Sequence, residues 1–180
     1  ANLPFIKIDK ERIITSTEAL SLKEIPKKMT IIGGGVIGLE LGQVYGRLGT
    51  EVSVIEYFDS IIPNMDKSLG RELMKVLKKQ NIKFYLSHKV EKVERINNTI
   101  KITAKDDDGS DVKFESDYCL VSVGRKPYTE GLNLNELEIN TSDTGQIIVN
   151  ENLQTSKSNI YAIGDVIRGS MLAHKAEEEG

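Results

Sequence analysis

The run Gly33-Gly34-Gly35-Val36-Ile37-Gly38 narrows the possible folds more than any other stretch of this chain. It fits G-x-G-x-x-G, a pattern that short glycine runs reach by chance, so its neighbours decide its meaning. Met29-Thr30-Ile31-Ile32 leads straight into it as a short apolar run, which predicts a buried strand. Beyond it, Ile37, Leu41, Val44 and Leu48 recur at helical spacing, and Gly49 closes the predicted helix. Glu51-Val52-Ser53-Val54-Ile55-Glu56 then predicts a second strand. Strand, turn, helix and strand within about 30 residues is the length of a right-handed βαβ crossover. At such a corner Gly33 makes the tight turn, Gly35 lets the backbone approach a pyrophosphate, and Gly38 lets helix and strand pack closely. The anion would meet unpaired N–H groups and the positive end of the helix dipole.

Glu56 closes the second strand about twenty residues beyond the glycines, where an acid accepts hydrogen bonds from the adenosine ribose 2′-OH. A 2′-phosphate would meet this carboxylate as a like charge, and Tyr57-Phe58-Asp59-Ser60 offers no cation to hold it. The pair of features predicts NAD(H) rather than NADP(H). Glu40 has two readings. It is a favourable charge near a helix N-terminus, worth about 0.3–1 kcal/mol, or a carboxylate pointing toward the nicotinamide end of the cofactor. Tyr85 and Lys89 match Tyr-x-x-x-Lys, but the run predicts strand and turn, so the two side chains would not share a helical face. His174 has no nucleophile or metal ligand nearby in sequence, and neither a catalytic residue nor a metal site is assigned.

The rest of the chain predicts an α/β, Rossmann-like dinucleotide-binding domain with a parallel sheet and an antiparallel β-meander. A helix over 67 to 80 places Leu69, Leu73, Val76 and Leu77 on one face, and a strand follows at 82 to 86. Residues 90 to 96, 99 to 104 and 112 to 115 alternate apolar and polar side chains around Asn97-Asn98 and Asp106-Asp107-Asp108-Gly109-Ser110, as an antiparallel meander does. Residues 118 to 123 return to an apolar strand, and 147 to 149 and 160 to 163 predict two short ones. Residues 1 to 27 show no sustained period and read as an extended connector. The chain starts at Ala1 rather than Met, which reads as a cut-out piece with Ala1 and Asn2 left from a tag. A net charge of -3 with interspersed cations excludes a nucleic-acid partner. No apolar run approaches the roughly 20 residues of a membrane span, so the expected setting is soluble. The single cysteine, Cys119, lies in an apolar run and predicts buried filler.

Longer stretches carry a family resemblance. Residues 30 to 42 resemble the NAD fingerprint of the flavoprotein disulfide reductases, and residues 48 to 56 resemble the second strand of that domain. Val121-Ser122-Val123-Gly124-Arg125-Lys126-Pro127-Tyr128-Thr129 resembles the family's domain-exit motif, which adds Gly124 to the cofactor-binding residues. Ile160-Tyr161-Ala162-Ile163-Gly164-Asp165-Val166 resembles its second FAD motif, whose aspartate, here Asp165, contacts the flavin ribityl chain. Residues 171 to 180 look like the dihydrolipoamide dehydrogenase type. The resemblance implies that Glu40 lies near nicotinamide and flavin, that Ile37 packs near the nicotinamide, and that Val36 stands where some relatives carry a gating aromatic.

It also implies a division into a connector over 1 to 27, an NAD domain over 28 to 149 and a returning part of an FAD domain over 150 to 180. In a whole enzyme of this type, NAD+ accepts a hydride from reduced FAD as dihydrolipoamide becomes lipoamide. The enzyme would be a homodimer serving a 2-oxoacid dehydrogenase or glycine-cleavage complex, in a bacterial cytoplasm or a mitochondrial matrix. A related NADH oxidase or mercuric reductase, or a free-standing NADH-sensing module, remains open. The apolar run at 160 to 163, cut from its partner strands, is expected to be mobile, to fold back, or to pair between chains. Disulfide exchange needs a thiolate and a resolving thiol, and one buried cysteine supplies neither. The 180-residue chain is therefore expected to show no lipoamide reduction, and turnover proportional to its concentration, with contaminating enzyme excluded, would contradict this.

Overall fold

The computed structural model describes residues 3 to 180 and groups them into two compact units, which meet in sequence at Gly124 and Arg125. Ala1 and Asn2, read above as a tag remnant, lie outside the described residues.

The first unit is built on a five-stranded parallel sheet. Its strands are β1 (Ile13–Ile14), β2 (Lys28–Ile32), β3 (Glu51–Ile55), β4 (Lys83–Tyr85) and β8 (Tyr118–Val121), in the order β1-β8-β2-β3-β4. Between them the chain forms α1 (Ser16–Ala19), α2 (Val36–Arg47) and α3 (Lys67–Lys79). β5 (Lys89–Ile96), β6 (Thr99–Lys105) and β7 (Asp111–Ser116) form a separate antiparallel sheet. The central strands are apolar almost throughout because both faces of the sheet are covered. Met29, Ile31, Val52, Val54, Tyr118 and Leu120 face one core, together with Leu39, Tyr45 and Leu77 of the helices. Ile32, Ile55, Cys119 and Val121 face the other, against Val90, Ile100, Ile102, Ala104 and Phe114 of the meander. The twofold alternation of a strand sorts one apolar run into two cores. Cys119 is fully buried, as its apolar neighbours predicted, and burial pushes its thiol well above the usual range.

The helices sit where the spacing placed them, and part of each predicted face is buried: Leu41 of α2 and Leu73 and Leu77 of α3 pack on the core. In α2 the buried residues are Gly38, Leu39, Gly42 and Tyr45, while Val44 and Leu48 are exposed. In α3 they are Gly70 and Leu77, with Leu73 and Met74 packed against the core, while Leu69 and Val76 are 57% and 50% exposed. Glycine explains the part left exposed in both. A Cβ on Gly42 would lie 2.7 Å from Ile31 Cδ1, and one on Gly70 would lie 2.9 Å from the Ile61 carbonyl oxygen. Each helix is turned so that its glycine makes the closest approach, and a count of apolar residues gives that position no weight.

Within residues 1 to 27, read from the sequence as an extended connector, part of the chain is folded into the first unit. Ile13 and Ile14 pair in parallel with Cys119 and Leu120, and Ile6, Ile13, Ile14 and Ala19 are all in the cores. A two-residue strand is too short to show a period, and its burial depends on a partner far along the chain. Thr15 and Glu18 form a capping box at the start of α1. The Asp9 carboxylate accepts from the N–H groups of Glu11, Arg12 and Ile13, each at 2.8 Å, and pairs with Arg95 of β5 at 3.1 Å. Burial alone would raise this carboxyl. The three amides and Arg95 outweigh it and hold the group below its ordinary range.

The second unit, residues 125 to 180, has a small core of Ile139, Ile147, Ala162 and Ile167. It contains a short 3-10 turn at Gly164–Val166 and α4 (Ala173–Glu179). The strands predicted at 147 to 149 and 160 to 163 are reduced to single bridges, Thr141 to Ile147 and Gln154 to Tyr161. Neither segment has a neighbouring strand long enough to continue the ladder. Residues 160 to 163 are expected from the sequence to be mobile, to fold back or to pair between chains, an expectation that a well-packed tail contradicts. Here the segment packs within its own unit, with Ala162 in the core and Ile160 against it. Ala162 donates to the Leu153 carbonyl at 3.0 Å and is buried.

The division of the predicted α3 face into a buried and an exposed part has a direct check. Leu77→Ala is expected to destabilise the protein by about 2–5 kcal/mol in urea unfolding, whereas Leu69→Ser stays within about 0.5 kcal/mol of the parent.

Candidate dinucleotide site

From β2 the chain proceeds through β3 to β4 on one side and returns through β8 on the other, so the strand order reverses between β2 and β8. Crevices beyond the carboxyl ends of parallel strands at such a reversal are where α/β sheets take ligands. The glycine turn lies there, directly after Ile32 and beside Ser122, whose N–H donates to the Ile32 carbonyl at 2.9 Å.

The four glycines of the turn divide by what their missing side chains allow. Gly33 has φ +105°, and a Cβ there would lie 2.6 Å from the Ser122 carbonyl oxygen. A Cβ on Gly38 would lie 2.5 Å from Ser122 Oγ and 2.6 Å from the Gly33 carbonyl oxygen. A Cβ on Gly34 would sit 3.1 Å from Glu56 Oε2 and 3.2 Å from Ile61 Cγ2, a tight but smaller conflict. Gly35 differs from all three. Its φ is an ordinary -78°, and a Cβ built on it meets nothing within 4 Å. No packing contact within the fold requires glycine at 35.

Gly35 is also the N-cap of α2 and supplies no side-chain hydrogen bond. The first helical bond runs from the Leu39 N–H to the Gly35 carbonyl at 3.1 Å, so the amides of Val36, Ile37 and Gly38 have no acceptor within the helix. No acidic residue stands in the first turn. Donors, dipole and open space at Gly35 therefore coincide, which is the arrangement that receives a phosphate.

Glu56 follows β3 and is buried at 6% exposure. Its Oε2 accepts from the Gly34 N–H at 2.5 Å and its Oε1 from the Phe58 N–H at 2.8 Å. Sequence reasoning assigned this acid to a ribose and missed that it also holds the glycine turn. The Gly34 carbonyl is held in turn by the Ile62 N–H at 2.9 Å. Ser122 and Ile62 were missed as well, because their contacts cross between strands and loops that are distant in sequence.

The remaining predicted residues are placed as follows. Val36 is exposed and Ile37 half-buried in the first turn of α2, next to the open side of Gly35. Glu40 is exposed and lies beyond that first turn, where the dipole effect fades. Gly124 has φ +116°, and a Cβ there would meet nothing within 4 Å. Asp165 belongs to the second unit, where its Oδ2 pairs with Arg125 at 2.8 Å, and Arg125 also donates to the Met171 carbonyl. Tyr85 ends β4 and Lys89 begins β5, so no helix brings them to one face.

Residues 5 to 180 match the family model for pyridine nucleotide-disulphide oxidoreductases. The chain belongs to that family. Its relatives include the mitochondrial dihydrolipoyl dehydrogenase of Pisum sativum, 47% identical over 99% of this chain and 36% of the relative. The mitochondrial dihydrolipoyl dehydrogenase 2 of Arabidopsis thaliana is 48% identical over the same shares. A leghemoglobin reductase of Glycine max is 47% identical over 99% of this chain and 34% of its own length. The chain thus spans about a third of the curated relatives it matches. Among solved structures, the HOCl-induced flavoprotein disulfide reductase RclA of Escherichia coli superposes with a TM-score of 0.89 at 26% identity, covering 99% of this chain and 40% of RclA. LpdA of Mycobacterium tuberculosis gives 0.88 at 26%, covering 99% and 38%. Membership of this family and a Rossmann-type fold agree with the resemblance in the sequence.

Gly33→Ala and Gly38→Ala are each expected to lower stability by about 1–3 kcal/mol or more, from overpacking and, at 33, backbone strain. Gly35→Ala, whose Cβ meets nothing, should cost less, about 0.5–1 kcal/mol, from the poorer N-cap alone. Thermal unfolding of the three variants checks the contrast.

Proposed function

We propose that this chain is the NAD(H)-binding portion of a dihydrolipoyl dehydrogenase, with Gly33, Gly35, Val36, Ile37, Gly38 and Glu56 forming the dinucleotide site. The observation that carries the reading is the open space at Gly35 beside three unpaired amides, with the Glu56 carboxylate fixed across the turn. Gly33 and Gly38 are explained by packing, whereas Gly35 is explained by a group that comes from outside the fold. A pyrophosphate fits there, as a compact anion among N–H donors. Glu56 spends one bond per oxygen on the backbone, and each oxygen retains a lone pair for a ribose hydroxyl.

The bound nicotinamide supplies the hydride acceptor in the whole enzyme, and the 180 residues bind and orient it. Val36, Ile37 and Glu40 stand along the nicotinamide side in this reading. The stretch from 150 to 180, with Asp165, belongs to the flavin side of the longer protein, and the thiols that exchange with lipoamide lie outside these residues. The chain alone is then inactive. The lipoamide type is favoured by 47% identity to dihydrolipoyl dehydrogenases against 26% to RclA. A homodimer working with a 2-oxoacid dehydrogenase or glycine-cleavage complex goes with this reading, in a bacterial cytoplasm or a mitochondrial matrix, and the plant relatives are named as mitochondrial. No helix among the described residues is long and apolar enough to cross a membrane.

Fluorescence titration with NADH and with NADPH tests the reading. NADH is expected to bind at least about tenfold more tightly, a difference of about 1.4 kcal/mol. Glu56→Ala frees the Gly34 and Phe58 amides and so weakens both cofactors. Its effect on the ribose appears as a narrowed ratio between the two. Equal binding of NADH and NADPH by the parent chain would overturn the NAD assignment, and binding of neither would overturn the site.

A further inference from the structure

The peptide between Gly33 and Gly34 is held at both ends by side chains that directly follow two different strands, β3 and β8. Its N–H donates to Glu56 Oε2 at 2.5 Å. Its carbonyl oxygen, that of Gly33, accepts from Ser122 Oγ at 3.3 Å, and the same hydroxyl reaches the Ile32 carbonyl at 3.2 Å. The Ile32 carbonyl already has a donor in the Ser122 backbone N–H, so the Gly33 carbonyl is the group for which the hydroxyl matters. A peptide is planar, and fixing its carbonyl fixes the direction of its N–H. Glycine on both sides offers little steric resistance to rotation of that plane, and Gly33 already stands at φ +105°. The next peptide is held as well, through the Gly34 carbonyl and the Ile62 N–H. Only beyond it do the amides lack partners within the protein's helix.

We infer that Ser122 is a positioning residue for the dinucleotide turn, acting with Glu56 to clamp the Gly33–Gly34 peptide. The clamp sets the pitch at which Gly35 and the first amides of α2 meet a pyrophosphate, and it links that turn to the acid that reads the ribose. The inference rests on the reading that this turn takes a dinucleotide. The residue at 122 must be small as well as a donor, because its Oγ occupies the space a Cβ on Gly38 would need.

The test compares the parent chain with Ser122→Ala, which removes the donor and keeps the space, and with Ser122→Cys, which fills the space with a weak donor. Amide hydrogen exchange by NMR is the first readout and needs no ligand. The Gly34 amide is expected to exchange about three- to tenfold faster in both variants, the size of one neutral hydrogen bond, while Leu120 and Val121 of β8 keep parent rates. ADP-ribose affinity, followed by chemical-shift titration, is expected to fall by the same factor while adenosine stays within twofold. A merely structural loosening would weaken both ligands and β8 together, and would overturn the inference. An unchanged Gly34 amide in Ser122→Ala, or parent behaviour in Ser122→Cys, would also overturn it. If the parent chain bound neither ligand, the dinucleotide reading would fall on its own, and the Gly34 amide would still decide the clamp.

Discussion

Helix α2 reaches its place only because no side chain stands between it and the ends of β2 and β8. The clearances at Gly33, Gly38 and Gly42 are all under 3 Å for a missing Cβ, against Ser122, the Gly33 carbonyl and Ile31. Side chains at these positions would push the helix off the sheet and tilt its N-terminus away from the strand reversal. Everything the site offers depends on that close approach. The amides of Val36, Ile37 and Gly38 stand at the strand reversal because the helix is seated there, and the helix is seated because the glycines let it be.

The parallel sheet serves as a wall shared by two cores. On one side the helices cover Ile31, Val54 and Leu120, and on the other the meander covers Ile32, Ile55 and Val121. A meander where a doubly wound domain would carry another helix still satisfies the sheet, since what a buried strand requires is an apolar partner and not a particular element. The β5–β6 turn, Asn97-Asn98, has Asn97 at φ +56°, the left-handed conformation that a two-residue hairpin prefers. The N-terminal segment belongs to the same construction. Asp9 and Arg95 tie it to β5 while Ile13 and Ile14 extend the sheet.

Glu56, read from the sequence for a ribose, is held in the fold by the glycine turn. Its carboxylate is buried, yet both oxygens are satisfied by backbone N–H groups, so burial does not leave an unpaired charge. Those same bonds fix its rotamer before any ligand arrives. A recognising group already ordered loses less conformational freedom on binding than one that must be ordered by its ligand.

The order of elements, the glycine corner and the position of Glu56 were legible in the sequence because each rests on local pattern: an apolar run, a helical period, a turn that only glycine can make. The family was legible for the same reason, through runs such as residues 30 to 42. Other features were decided only by the tertiary structure. The buried faces of α2 and α3 follow from Gly42 and Gly70, which carry no hydrophobic signal. β1 is a strand because β8 lies beside it, and Ile147 and Tyr161 form bridges instead of strands because nothing longer does. Ser122 lies far from Gly33 along the chain but within hydrogen-bond reach of its carbonyl. Local sequence records what a segment prefers, whereas close approach and the pairing of buried polar groups depend on which segments meet.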